Sequence, residues 1–296
     1  MSPKHFLKQF LVTGDRYISS LQSPNASLLF HRVVPSLDAP DPESLCLTTQ
    51  EFEQILSYLT DHYQTLTLDE FLSGRTGIHI TFDDGYLDNY IYAIPLLLKY
   101  RCPATFFITT SFVQGSVPWW DLLSSFLIQP CSDLSCGSAY ELFRDQLRPS
   151  LMTPSEAHHT LITSKLPTSH YDYPPFMSPH HIADLVNHPG ISVGCHSHSH
   201  HSSSSLSRDH FQLDVLISSQ LLHSWTSLFP STFAYPYGHR RSWSSSNIRD
   251  LKSYGYTSAF SNIPGYHTKY SNNFSIRRFL MSRRYPLDLA NVLSPL

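Results

Sequence analysis

Five short runs rich in β-branched and aromatic residues alternate along this 296-residue chain with segments of helical periodicity. That alternation constrains the fold more than any other feature, because it argues for a parallel α/β sheet or barrel. The runs are Ser27–Val34, Ile78–Phe82, Ala104–Thr109, Ile191–Cys195 and Thr232–Tyr235. The first reads as a buried strand that ends near His31, ahead of Pro35. Thr48 and Glu51 form a capping box, followed by Phe52, Ile55, Leu56 and Leu59 at helical spacing. Thr67 and Glu70 repeat the capping pattern for a shorter helix. Further helices are predicted around Pro95–Leu98, with Pro95 at the start or as a kink, and over His181–Val186 and Phe211–Leu222. Residues 115–180 read as Pro-rich loops with one helix near Ser155–Lys165. Polar side chains follow the strand ends at His31, Asp83-Asp84, His196 and Tyr235. In parallel α/β folds the active site sits at those carboxyl ends.

Apolar residues make up 41% and charged residues 15%, which excludes a disordered chain. No apolar run approaches the ~18 residues of a membrane span. A net charge of −3 gives no electrostatic case for nucleic acid. Five cysteines without a C-x-x-C pair make no disulfide scaffold. The N-terminus has a basic start but no apolar stretch like that of a secretory signal, and Phe6, Phe10 and Leu11 read as one helix face. The expectations are a cytoplasmic protein with a helical extension over residues 1–26 and a single domain over 27–296.

The 18 histidines against 20 Lys and Arg direct attention to metal and proton chemistry. In Thr81-Phe-Asp-Asp-Gly-Tyr86 two carboxylates follow a buried strand, where they are costly unless paired, hydrogen-bonded or metal-bound. Adjacent strand residues point to opposite faces, so both reach one site only if the chain turns, which Gly85 permits. A helix N-cap explains the doublet alone equally well. His196-Ser-His-Ser-His200 offers a His-x-x-x-His metal spacing, although a His/Ser-rich surface loop is the plainer reading of that tract by itself. Ser197 stands where a zincin protease needs Glu, and His198 and His201 read as bystanders. Asp plus two His makes a three-ligand set with an open position for water, as in catalytic zinc sites, and leaves the second carboxylate as a base.

Thr81–Tyr86, Gly194–His200 and Phe233-Ala-Tyr-Pro-Tyr-Gly238 resemble, in order, the three main motifs of polysaccharide deacetylases, carbohydrate esterase family four. Weaker similarity runs through Pro103–Phe107, Trp120-Asp121, Met177–Asp184 and Tyr254–Gly265, covering roughly residues 27–280 in all. The resemblance implies a distorted (β/α) barrel of about seven strands. By it, Asp84, His196 and His200 would hold a divalent metal, with zinc fitting best and nickel, cobalt or manganese compatible. Asp83 would be the general base. Two departures stand out: Tyr235 replaces the Arg that orients the base, and no His follows residue 270 to supply the usual late acid. Leu29-Phe-His31-Arg-Val33 resembles the Tyr-His-x-Val strand of permuted relatives, the poly-N-acetylglucosamine deacetylases, in which an early His is the acid. Arg278 is the candidate to replace the missing Arg, ahead of Arg277. Tyr235, Pro236, Tyr237, Trp120 and Asp121 are the candidate substrate-binding residues, and Trp119 is a further possible sugar platform.

The implied activity is metal-dependent removal of N-acetyl groups from an amino sugar in a saccharide or glycoconjugate. The oxyanion would be stabilised by the metal and a backbone N–H near Tyr235. Two other readings remain open at this stage: a catalytically dead barrel that binds glycans or protein, motivated by the two departures, and an amidase acting on a non-sugar acetamide.

Overall fold

A computed structural model describes residues 25–38, 41, 43–121, 175–268 and 270–283. The expected helical face at Phe6–Leu11 and the helix near Ser155–Lys165 lie outside these residues. Seven strands form one curled sheet in the order β8-β7-β6-β5-β4-β1-β9, every pairing parallel. The strands are β1 (Asn25–Phe30), β4 (Gly77–Phe82), β5 (Ala104–Ile108), β6 (Ile191–Cys195), β7 (Thr232–Ala234), β8 (Ser258–Phe260) and β9 (Phe279–Leu280). β1 and β4 are buried at every residue, as expected of parallel strands covered on both faces.

Side chains alternate between two environments. Ile78, Ile80 and Phe82 of β4 join the main core under the helices. His79, Thr81 and then Asp83 take the opposite face, toward the barrel interior. Phe107, Ala234, Phe260 and Ile276 fill that interior with Leu66 and Phe71. His79 is fully buried there, with Nδ1 on the Leu66 carbonyl (3.1 Å) and Nε2 on Thr105 Oγ1 (3.1 Å). Burial pushes its pKa down to about 4, so it is a neutral structural histidine.

The capping boxes form as the sequence predicts. Thr48 and Glu51 open the helix Thr49–His62, whose Phe52 packs against Phe30 (5.2 Å between ring centroids) and Phe82 (5.7 Å). Thr67 and Glu70 cap Leu68–Leu72. Pro95 sits in the first turn of Ile94–Tyr100, which continues from a π-helical turn over Asn89–Ala93. The expected helices at 181–186 and 211–222 occupy Pro179–Leu185 and Arg208–Thr226. No helix among the described residues is long and apolar enough to cross a membrane. Cys46, Cys102 and Cys195 are buried free thiols.

The run Ser27–Val34 is not one strand. β1 begins at Asn25, two residues before the expected domain start, and ends at Phe30. After His31 the chain turns into β2 (Arg32–Val34), which pairs with β3 (Cys46–Thr48) in a separate two-stranded sheet. The break is fixed by hydrogen bonds: Asn89 Nδ2 donates to the His31 carbonyl (2.8 Å) and Arg32 Nε to Asp88 (2.8 Å).

The two ends of the curled sheet are joined by residues 273–280. Ile276 bridges to Phe260 of β8, and Phe279 and Leu280 pair with Leu28 and Leu29 of β1. Arg278 lies inside this closing segment and is fully buried. On the interior wall, Gly194 faces Phe107 so closely that a Cβ would lie 2.5 Å from the Phe107 ring and 2.8 Å from Thr232 Cγ2. Gly194→Ala is therefore expected to destabilise the protein by about 1–3 kcal/mol through overpacking. Urea denaturation measures this, and wild-type stability in the variant would mean that the interior around Phe107 has room to spare.

Candidate active site

The turn after β4 brings both carboxylates to one place. Gly85 N–H donates to the Asp83 carbonyl (3.0 Å), a γ-turn with Asp84 at its centre at φ +75°, and Gly85 itself has φ +92°. Asp84 thus adopts a backbone conformation that non-glycine residues rarely hold, and strain of this kind costs about 1–3 kcal/mol. Both carboxylates are almost completely buried.

β6 ends at Cys195 and delivers His196 beside them. His196 Nδ1 donates to the Ala234 carbonyl (2.8 Å), which leaves Nε2 as a lone-pair donor toward the carboxylates. Ser197 (φ +65°) and His200 (φ +57°) turn the following loop inward. Asp214 holds that loop: its oxygens accept the backbone N–H groups of His198 (2.8 Å) and Ser199 (2.9 Å). His200 Nε2 lies 3.3 Å and His196 Nε2 3.6 Å from Asp84 Oδ1. Ligand atoms of Asp84, His196 and His200 all fall within 4.8 Å of one another, a donor set with the composition of a divalent metal site. Asp84 Oδ1 is buried and accepts no conventional hydrogen bond, the state of an oxygen kept for a cation. Burial pushes His196 down to about 4, so its imidazole is in the neutral, ligating form. Burial works to raise Asp84, but its interaction with the adjacent His200 outweighs that and brings the carboxyl to about 2. His198 instead bonds Thr110 Oγ1 (2.9 Å), outside the triad.

Asp83 is held from the other side. Arg278 Nη1 donates to Oδ1 (2.7 Å) and Nη2 to Oδ2 (2.7 Å), a two-pronged contact. Arg278 Nε donates to the Ser261 carbonyl (2.9 Å) and Nη1 also to Thr81 Oγ1 (3.2 Å), so the guanidinium is fixed in its plane. Burial raises Asp83, yet the Arg278 charge, aided by His196, holds its carboxyl below the usual range. Arg277 is exposed and does not take part.

These groups open on a cavity of about 550 Å³ lined by Asp83, Asp84, His196, His200, Arg278 and His31, with Trp119, Trp120, Tyr235 and Tyr237 among its walls. His31 Nδ1 is buried with no hydrogen-bond partner.

A family model described as polysaccharide deacetylase matches residues 73–259, more than half of the chain. The chain belongs to the polysaccharide deacetylase family. It is 43% identical over 74 residues to YxkH of Bacillus subtilis (strain 168), a match that spans 22% of this chain and 26% of that protein. Among solved structures, the Streptococcus pyogenes deacetylase PplD in complex with acetate superposes with TM-score 0.64 at 16% identity, over 93% of this chain and all of that one. IcaB from Ammonifex degensii superposes with TM-score 0.63 at 19% identity, over 92% and 98% of the two chains. At these identities the likeness establishes a shared fold, that of deacetylase-like barrels.

Within the family frame, Tyr235 does not take over from the expected Arg. Its hydroxyl donates to the Phe274 carbonyl (3.1 Å) and its ring stacks on Trp243, while Arg278 from the closing segment reaches Asp83. Two residues expected to bind substrate do not line the cavity. Pro236 is buried in the loop, and Asp121 accepts from Tyr86 Oη (2.8 Å), which itself accepts from Trp120 Nε1 (2.7 Å). Asp121 therefore fixes Trp120 from behind, and burial pushes its carboxyl up to about 7. Trp120 and Tyr237 do line the cavity, each about 5.1 Å ring-to-ring from His200. The Tyr235 N–H is already donated to the Phe260 carbonyl (3.0 Å), and Tyr237, two residues on at φ +62°, lines the cavity. The sequence reading missed Asp214, whose acidic residue in a helix pattern carries no motif. It also missed Glu43, His239 and Asn262 on the cavity wall.

Removing Arg278 should leave Asp83 buried and uncompensated. Arg278→Leu is expected to lose about 3–5 kcal/mol of stability, with Arg278→Lys recovering only part because an ammonium cannot make the two-pronged contact. Chemical denaturation of the two variants checks this, and equal stability of Arg278→Lys and wild type would mean that charge alone suffices.

Proposed function

We propose that this protein is a metal-dependent N-deacetylase that removes acetyl groups from an N-acetylated amino sugar in a polysaccharide, oligosaccharide or glycoconjugate. The observation that carries the reading is a buried Asp84, His196 and His200 triad beside an Asp83 that Arg278 keeps ionised, on a cavity large enough for a sugar ring. Family membership and fold support it. Among divalent ions zinc suits the Asp-His-His donors best, with nickel, cobalt and manganese as alternatives. When bound, such an ion supplies a Lewis acid that polarises a carbonyl and makes water a nucleophile at neutral pH.

The chain's own residues supply the rest. Asp83 takes a proton from the attacking water; each of its oxygens keeps a lone pair beyond the contact to Arg278. Arg278 orients the carboxylate and holds it deprotonated. The Tyr237 N–H donates to the oxygen on which charge develops, and a preorganised backbone donor costs no rearrangement during reaction. His31, at the rim of β1, delivers a proton to the leaving nitrogen as the C–N bond breaks, giving acetate and a free amine. His267, the alternative acid, is at the opposite end of β1, where its N–H bonds the Asn25 carbonyl (2.8 Å). The loss of the usual Arg at 235 motivated a non-catalytic reading, and the Arg278 contact supplies what that position lacks.

Metal analysis with acetate release from N-acetylated saccharides tests the proposal. One divalent ion per chain is expected, largely lost in His196→Ala and retained in His198→Ala. Asp83→Asn should keep the metal and lose turnover. A protein that binds metal and releases no acetate from any saccharide is a binding module instead.

His31→Gln should lower turnover on an N-acetyl substrate by about 10²–10⁴-fold. The loss should shrink on an activated acetate ester, whose leaving group needs no proton. Equal losses on both substrates would falsify the role of His31 as acid.

A further inference from the structure

Three polar residues on the cavity wall have no place in acetyl hydrolysis: Glu43, His239 and Asn262. They come from separate segments, and each is set by backbone contacts rather than left on a loose loop. Glu43 sits in a turn closed by Asp41, whose side chain accepts the N–H groups of Leu45 (2.7 Å) and Cys46 (2.9 Å). Ser282 Oγ ties the next residue, Ser44, through its carbonyl (3.0 Å). His239 N–H donates to Ser242 Oγ (3.1 Å), and its Nδ1 accepts from the Arg241 N–H (3.3 Å). That contact assigns the imidazole proton to Nε2, which is then a donor. Burial, with the Arg241 charge, lowers the His239 pKa, so the ring is neutral. Asn262 is fastened by its backbone N–H to the Gly238 carbonyl (2.8 Å), and its side-chain amide makes no hydrogen bond among the described residues.

The cavity lining thus includes a carboxylate, a donor imidazole and an amide that is both donor and acceptor, along with the aromatic rings of Trp119, Trp120 and Tyr237. A small acetamide occupies only a fraction of a cavity of about 550 Å³. A pyranose has the matching chemistry: hydroxyls that donate and accept around its edge, and an apolar C–H face for the aromatic rings. We propose that Glu43, His239 and Asn262 form the hydroxyl-recognition wall that restricts this enzyme to acetamides carried on a sugar ring. The proposal rests on the deacetylase reading and deepens it: it assigns sugar selectivity to residues that the hydrolytic chemistry does not use.

The test compares wild type, Glu43→Gln and Asn262→Ala on an N-acetylglucosamine oligomer and on p-nitrophenyl acetate. Gln keeps the size of Glu43, and the Asn262 backbone contact survives truncation. His239→Gln is the third variant should either fail to fold. The ratio of kcat/KM on the oligomer to kcat/KM on the ester should fall roughly 10-fold in each variant, the size of one lost hydrogen bond in a recognition site. The fall should reside in KM rather than kcat. An unchanged ratio, or an equal fall on both substrates, overturns the proposal and makes these residues structural. Wild-type ester hydrolysis with no acetate from any saccharide overturns the deacetylase reading itself, and the recognition wall with it.

Discussion

The ion pair between Arg278 and Asp83 links the closure of the barrel to the chemistry of its mouth. A carboxylate and a guanidinium buried together lose several kcal/mol of hydration each, and only close, directional pairing recovers it. Here the pairing is two-pronged at 2.7 Å, and the guanidinium is further fixed by the Ser261 carbonyl. Arg278 lies in the segment that joins β8 to β1, so the sheet cannot curl shut without delivering the guanidinium, and the guanidinium has no buried partner other than Asp83 among the described carboxylates. Fold stability and an ionised Asp83 are therefore outcomes of one contact.

Strain gathers where function does. Of the seven non-glycine residues with positive φ among those described, Asp84, Ser197, His200 and Tyr237 belong to the site or its loops. Asp84 and His200 bring their ligand atoms together there, Tyr237 lines the cavity, and Ser197 Oγ accepts the His200 N–H (2.9 Å). The surroundings hold them there: Asp214 accepts the backbone N–H groups of the histidine loop, and the Gly238 carbonyl accepts the Asn262 N–H beyond Tyr237. Behind the cavity, the chain from Trp120 through Tyr86 to Asp121 fixes an aromatic wall.

The sequence by itself determined the alternation of strands and helices, both capping boxes, the position of Pro95, and the two motifs that supply Asp83, Asp84, His196 and His200. These signals are local: a cap spans three residues, a strand is a run of β-branched and aromatic residues, and a motif sits on one turn. Arg278 was legible only through resemblance, because an isolated Arg in a strand pattern has no local signature, whereas His31 was marked by its place at a strand end and given a role only by the resemblance. Tertiary structure alone decided the break of the first strand at His31, which depends on Asn89 and Asp88 far along the chain. It alone turned Asp121 onto Tyr86 and committed the Tyr235 N–H to the Phe260 carbonyl. It alone brought Glu43, His239 and Asn262 to one cavity. The physical reason is common to all three: a hydrogen bond or ion pair between residues distant in sequence is fixed only when the sheet curls and brings their strands together, and no periodicity in the chain encodes which of several polar groups will then find its partner.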